Sequence, residues 1–104
     1  MNSIVRNEVL DLIKKLNLNC TIKEFEDKVD WEWVSIHQKL SGSFIKEYKD
    51  KVDWYGISFY QKLSSLQWGK IWNIVPKKYK DIIWNRLNGI DKFILLSESK
   101  GYNK

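Results

Sequence analysis

Residues 22–41 read IKEFEDKVDWEWVSIHQKLS and residues 45–64 read IKEYKDKVDWYGISFYQKLS, the second stretch starting 23 positions after the first. Thirteen of the twenty aligned positions are identical, and four more are conservative: Phe25/Tyr48, Val34/Ile57, Ile36/Phe59 and His37/Tyr60. The chain therefore contains a duplicated structural unit. A period of this length marks units that bury their apolar faces against one another.

Inside the first copy, Thr21 and Glu24 form a T-x-x-E capping box, which predicts a helix start. Ile22, Phe25 and Val29 then share one face, and Asp30 suits the N-cap of a second helix, Trp31–Lys39. The second copy repeats the plan with Ile45, Tyr48, Val52 and Asp53, before a helix over Trp54–Lys62. Ser41 and Ser64 close the units and can each cap the next helix. In each second helix Trp31, Val34, Ser35 and Gln38 (or Trp54, Ile57, Ser58 and Gln61) fall on one side. Trp33, Ile36 and Leu40, or Phe59 and Leu63, fall on the other, the pattern of a helix sandwiched between neighbours. Ser35, Gln38, Ser58 and Gln61 are therefore expected to hydrogen-bond across the junction between units, since a buried amide without a partner costs about 1–3 kcal/mol. A sharper reading makes the glutamines ligand contacts. A strand reading of Trp33–Ile36 and Tyr55–Tyr60 is opposed by the lack of Asn-Gly or Asp-Gly turns between the copies.

Outward from the repeat, residues 2–16 carry Ile4, Val5, Val9, Leu12, Ile13 and Leu16 at helical spacing, with Asn2 or Ser3 as cap. Asn17 to Cys20 breaks the pattern. Beyond Ser64 the repeat decays: Leu66, Trp68, Ile71, Trp72 and Val75 keep helical spacing, and Pro76, aligned with Asp53, opens a helix over Lys77–Leu87. Asn88-Gly89 reads as a stop, Asp91 as the cap of a last helix over Lys92–Ser97 that packs Phe93, Leu95 and Leu96, and Ser99 onward as a frayed tail. The expected fold is all-α, one domain over 1–104: a small stack of short helices from two clear repeats and one degenerate one. The parts are an N-terminal capping helix and connection (1–20), repeat 1 (21–41), repeat 2 (42–64), degenerate repeat 3 (65–88), and a C-terminal helix and tail (89–104).

Composition narrows the class. With 43% hydrophobic residues and fifteen aromatics in 104 positions the chain is globular. No run approaches the roughly 20 apolar residues of a membrane span, so no membrane partner is expected. The first residues lack a signal-peptide core and Cys20 is single, which predicts a reduced, cytoplasmic setting. The net charge of +5 is uneven: six Lys/Arg face seven Asp/Glu up to Ser41, and twelve face six from Gly42 onward. The basic half invites an anionic partner, or simply solvates a face.

The shared pattern LS-x-x-[FT]-I-K-E-[FY]-x-D-K-V-D-W-x-x-[VI]-S-x-x-Q-K-L-S resembles a tandem helical repeat of about this length in uncharacterised proteins of bacteriophages and large DNA viruses. The match covers residues 22–64 and departs at Asn17-Leu18 and Thr21, where the first copy lacks the leading Leu-Ser and Phe. That family carries no known catalytic residues. The resemblance implies repeat architecture, a phage or prophage context, and the cytoplasm of an infected or prophage-carrying bacterial host.

Catalytic chemistry finds no constellation. His37 is the single histidine and aligns with Tyr60, Cys20 has no orienting base near it in sequence, and Asp30 and Asp53 are explained by capping. No phosphate-cradling glycine loop or metal-ligand spacing occurs, so no enzyme activity, metal or cofactor is expected. Three binding classes remain. A non-enzymatic protein-binding module would use exposed aromatic and basic residues, with Tyr55, Tyr60, Lys77, Lys78 and Lys80 as candidates, or leave them as solvated surface. The resemblance, with the exclusion of an active centre, points such a module at a host protein or nucleoprotein complex, as an anti-CRISPR-like inhibitor of a host defence effector. A nucleic-acid binder would use Lys62, Lys70, Lys77, Lys78, Lys80 and Arg86, with Trp68, Trp72, Tyr79 and Trp84 as stacking platforms unless they are core. Self-association of repeat faces into a viral structural component is the third.

Overall fold

A computed structural model describes the backbone of residues 1–102 and the side chains of residues 1–100. It is all-helical, with no strand among the described residues. The helices are α1 (Ser3–Lys15), α2 (Phe25–Lys28), α3 (Trp31–His37), α4 (Gly42–Glu47), α5 (Trp54–Tyr60), α6 (Ser65–Ile71), α7 (Lys77–Asn85) and α8 (Gly89–Tyr102), with a 3-10 turn at Trp72–Ile74. They form two rows: α1, α4, α6 and α8 in one, α3, α5 and α7 in the other. The stack extends 43 × 26 × 19 Å.

The 23-residue period is exact for the second helices, since α3 and α5 superpose in sequence end to end. Both are capped by aspartate: Asp30 accepts from the Trp33 amide at 3.0 Å and Asp53 from the Tyr55 amide at 3.2 Å. Both hold their first tryptophan the same way, with Trp31 Nε1 donating to the Glu26 carbonyl at 3.0 Å and Trp54 Nε1 to the Lys49 carbonyl at 2.9 Å. Each ends two residues before the predicted Lys39 and Lys62, because Gln38 and Gln61 turn extended. The degenerate unit keeps the plan, with α6 and α7 beginning 23 residues after α4 and α5.

The first helices are not equivalent, and capping explains it. Ser41 and Ser64 open α4 and α6, but the corresponding residue of the first copy is Leu18, which offers no oxygen. That copy starts instead at the predicted box, where Glu24 accepts from the Thr21 amide and hydroxyl, both at 3.0 Å, and only the four-residue α2 forms. The same bonds, with Lys28 adding a smaller attraction, hold the Glu24 carboxyl below its usual 4.5. Ser64 has Gln67 three residues on to complete its box, whereas Ser41 is followed by the core residue Phe44. Glu8 of α1 supplies the missing carboxylate, accepting from the Ser41 amide at 2.9 Å and its hydroxyl at 2.6 Å. The N-terminal helix is thereby fastened to the first full unit.

The end of the chain departs from expectation. Asn88, not Asp91, caps the last helix, accepting from the Asp91 amide at 2.8 Å, so Asn88-Gly89 starts a helix rather than stopping one. That helix runs through the predicted tail to Tyr102, while the tail's last two positions lie outside the described residues. Of the three residues expected to pack there, Leu95 is buried but Phe93 and Leu96 are exposed. At the other end, Asn2 is the cap of α1, accepting from the Val5 amide at 2.8 Å. Ile4, expected in its apolar stripe, faces out.

The core runs between the rows. Phe25, Phe44 and Tyr48 meet Trp31 in a cluster with ring centroids 4.9–6.1 Å apart, which joins the first two units. Trp68 and Ile83 fill the third unit. Gly56 sets the α3–α5 spacing: a Cβ there would stand 3.0 Å from Ile36 Cγ1 and 3.2 Å from Ser35 Cβ. The matching position in α3 is Trp33, which no further helix covers; the row of second helices ends there.

Candidate interaction surface

The polar residues at the junction between units are structural. Gln61 Oε1 accepts from the Leu40 amide at 3.0 Å, and its Nε2 donates to the Ser35 carbonyl at 2.8 Å and the Gln38 carbonyl at 2.7 Å. Ser35 Oγ accepts from the Asp53 amide at 3.0 Å. These bonds cross from unit to unit, as the sequence predicts for Ser35 and Gln61, and they occupy Gln61 fully. Gln38 contributes its carbonyl alone. Ser58 would meet residue 76 as Ser35 meets Asp53, but Pro76 has no N–H, and Ser58 Oγ donates to Tyr55 of its own helix at 3.1 Å instead.

Arg86 replaces the glutamine in the third unit. Its Nη1 donates to the Ser58 carbonyl and its Nη2 to the Gln61 carbonyl at 2.9 Å, the counterparts, 23 residues on, of the carbonyls that Gln61 holds. Partial burial of the guanidinium pulls its pKa below the ordinary arginine value. The residue is exposed overall, but two of its donors hold these carbonyls, so this member of the predicted phosphate-binding set is tied into the fold. Sequence spacing hid this, because Arg86 stands two positions past the strict repeat of Gln61. Arg86→Ala is expected to lower stability by about 2 kcal/mol, read in urea melts, through two unpaired carbonyls.

The other predicted residues divide by row. Tyr55 and Tyr60 are 55% and 54% exposed on α5, with Lys77 and Lys78 exposed on the adjacent α7. The Lys80 ammonium lies 5.5 Å from the Trp72 ring and that of Lys78 lies 5.6 Å from Tyr79. Lys70 sits apart on α6, in the other row, beside an open groove of about 530 Å³ that Ser43, Glu47 and Gln67 also line. Lys62 is exposed between α5 and α6. The rings meant to stack on bases are withdrawn: Trp68 is buried, and Trp72 and Trp84 are half-covered with Lys80 and Lys92 over them.

The structure adds two residues that sequence reading placed on a packed side. Trp33 is 42% and Phe59 44% exposed. Trp33 stacks near His37 at 4.9 Å and Phe59 near Tyr55 at 4.7 Å. Both are i, i+4 pairs, the one available signal, but a two-sided pattern reads as burial when the number of neighbours is unknown. Trp33, His37, Tyr55, Phe59 and Tyr60 thus give two neighbouring seven-residue helices five exposed rings. Among the described residues no group of three His, Cys, Asp or Glu can hold a metal ion, and no helix is long and apolar enough to cross a membrane.

Compared with family models, curated proteins and solved structures, the chain matches none.

Proposed function

We propose that this protein is a binding module that docks on another protein through the exposed rings of α3 and α5, with the lysines of α7 next to those of α5. The observation that supports this is the exposure of Trp33, Tyr55, Phe59 and Tyr60 on adjacent helices. Rigid aromatic side chains lose little rotamer entropy on association, remove large apolar areas from water and dominate binding hot spots. Lys77 and Lys78 beside them favour an acidic or nucleoprotein partner and speed its approach. Together with the phage-repeat resemblance, this leads us to a host-defence effector as partner, which the protein inhibits by covering a surface.

The test is capture of purified candidate effectors, CRISPR-type complexes first, by wild type and by Tyr55→Ala/Phe59→Ala. The double variant is expected to keep its helicity, since both rings are exposed, and to bind at least tenfold more weakly. Equal binding by the two would refute this surface. Nucleic-acid binding through Lys62, Lys70, Lys77, Lys78 and Lys80 is the second reading, favoured by the basic second half. It requires mobility shifts of free DNA or RNA that weaken steeply with salt.

A further inference from the structure

Asparagine is followed by glycine at one place in the chain, Asn88-Gly89. The pair opens α8, and both residues are exposed. The backbone nitrogen of the residue after an asparagine can attack the side-chain carboxamide, and a side chain on that residue crowds the attack. Gly89 has none, and nothing lies within 4 Å of where a Cβ would stand. Its N–H is the first of α8 and has no acceptor within the helix, and no other described residue accepts from it. The cap is the restraint. Asn88 Oδ1 accepts from the Asp91 amide at 2.8 Å while the Asn88 carbonyl accepts from the Lys92 amide at 2.9 Å. Together these bonds fix the side chain and backbone that ring closure must turn.

We propose that Asn88-Gly89 is a self-modification site gated by the first turn of α8. When that turn opens, the Gly89 nitrogen gives up its proton and bonds to Asn88 Cγ. The Cγ–Nδ2 bond breaks, and Nδ2 takes up a proton and leaves as ammonia. Water then opens the five-membered imide. Cleavage of the new Cγ–N bond gives aspartate, and cleavage of the original peptide C–N bond gives isoaspartate. The two products act on α8 in opposite ways. Aspartate keeps the cap and adds a negative charge at the positive end of the helix. Isoaspartate routes the main chain through Cγ and lengthens it by one methylene, so the two bonds that start the helix cannot both be kept. The helix is then loosened from α6, against which Leu95 and Glu98 hold it at Gly69. The docked state of α8 thus has a finite lifetime that needs no enzyme to end it.

The test incubates the full chain at neutral and mildly alkaline pH, folded and in denaturing urea, and follows Asn88 by peptide mapping that separates isoaspartate from aspartate. In urea Asn88 is expected to convert faster than every other asparagine, and Gly89→Ala to remove that lead. Folding is expected to slow conversion about tenfold or more, since the cap must open first. Both rates should rise with pH, because the attacking nitrogen must lose its proton. The purified isoaspartate chain is expected to exchange its amide hydrogens over 89–100 about tenfold faster than wild type, whereas Asn88→Asp, which stands for the other product, should not. An Asn88 no faster than the other asparagines in urea, equal rates in the folded and unfolded chain, or an isoaspartate chain that exchanges like wild type would each overturn the proposal.

Discussion

Gln61→Leu is expected to destabilise the protein by about 4 kcal/mol and lower its melting temperature by about 15–25 °C. The shape of the side chain is nearly kept, so the loss is polar. The Leu40 amide and the carbonyls of Ser35 and Gln38 would all lose their partner in a region that excludes water, as Gln61 is only 3% exposed. Each orphaned group costs about 1–3 kcal/mol, against a total stability of about 5–15 kcal/mol. The same change at Gln38, identical in the repeat, should stay within about 0.5 kcal/mol, because its side chain carries none of these bonds. Urea unfolding of both variants measures the difference. Equal losses would mean that the junction is held by apolar packing alone.

Gly69→Ala is expected to cost about 3 kcal/mol, at the upper end of overpacking penalties. The added Cβ would stand 2.6 Å from Glu98 Cβ and 2.9 Å from the Leu95 carbonyl oxygen. Glu98 Cβ and the Leu95 oxygen are both anchored to the α8 backbone, so relief requires α8 to move as a whole. Hydrogen exchange over 89–100 should therefore accelerate before that of α3 and α5. Gly89→Ala is the control. Nothing lies within 4 Å of its added Cβ, and alanine is the better helix former, so that variant should be as stable as wild type or more so.

The resemblance between the copies was enough to place the aspartate caps and the burial of Ser35 and Gln61, and the local T-x-x-E motif placed the Thr21/Glu24 box. All of these depend on residues within one repeat length, and local hydrogen-bonding rules reach that far. The candidate surface was only half legible. Tyr55 and Tyr60 are exposed, as expected of the candidate contacts, yet Trp33 and Phe59 looked packed. Arg86 looked like a phosphate contact because nothing near it in sequence shows that two carbonyls of the previous unit await a donor. Phe93 looked like core, since apolar residues near a chain end normally close a stack.

By itself, then, the sequence determined the repeat, its helical character and the polar bonds inherited with the period, because each depends on side chains a turn or one unit apart. Only the tertiary structure decided which faces have neighbours. Trp33 and Gly56 hold the same register position, but one lies at the end of a row and the other against Ile36 and Ser35. Exposure is a property of the whole stack: it depends on how many helices lie beyond a residue, which no local pattern encodes.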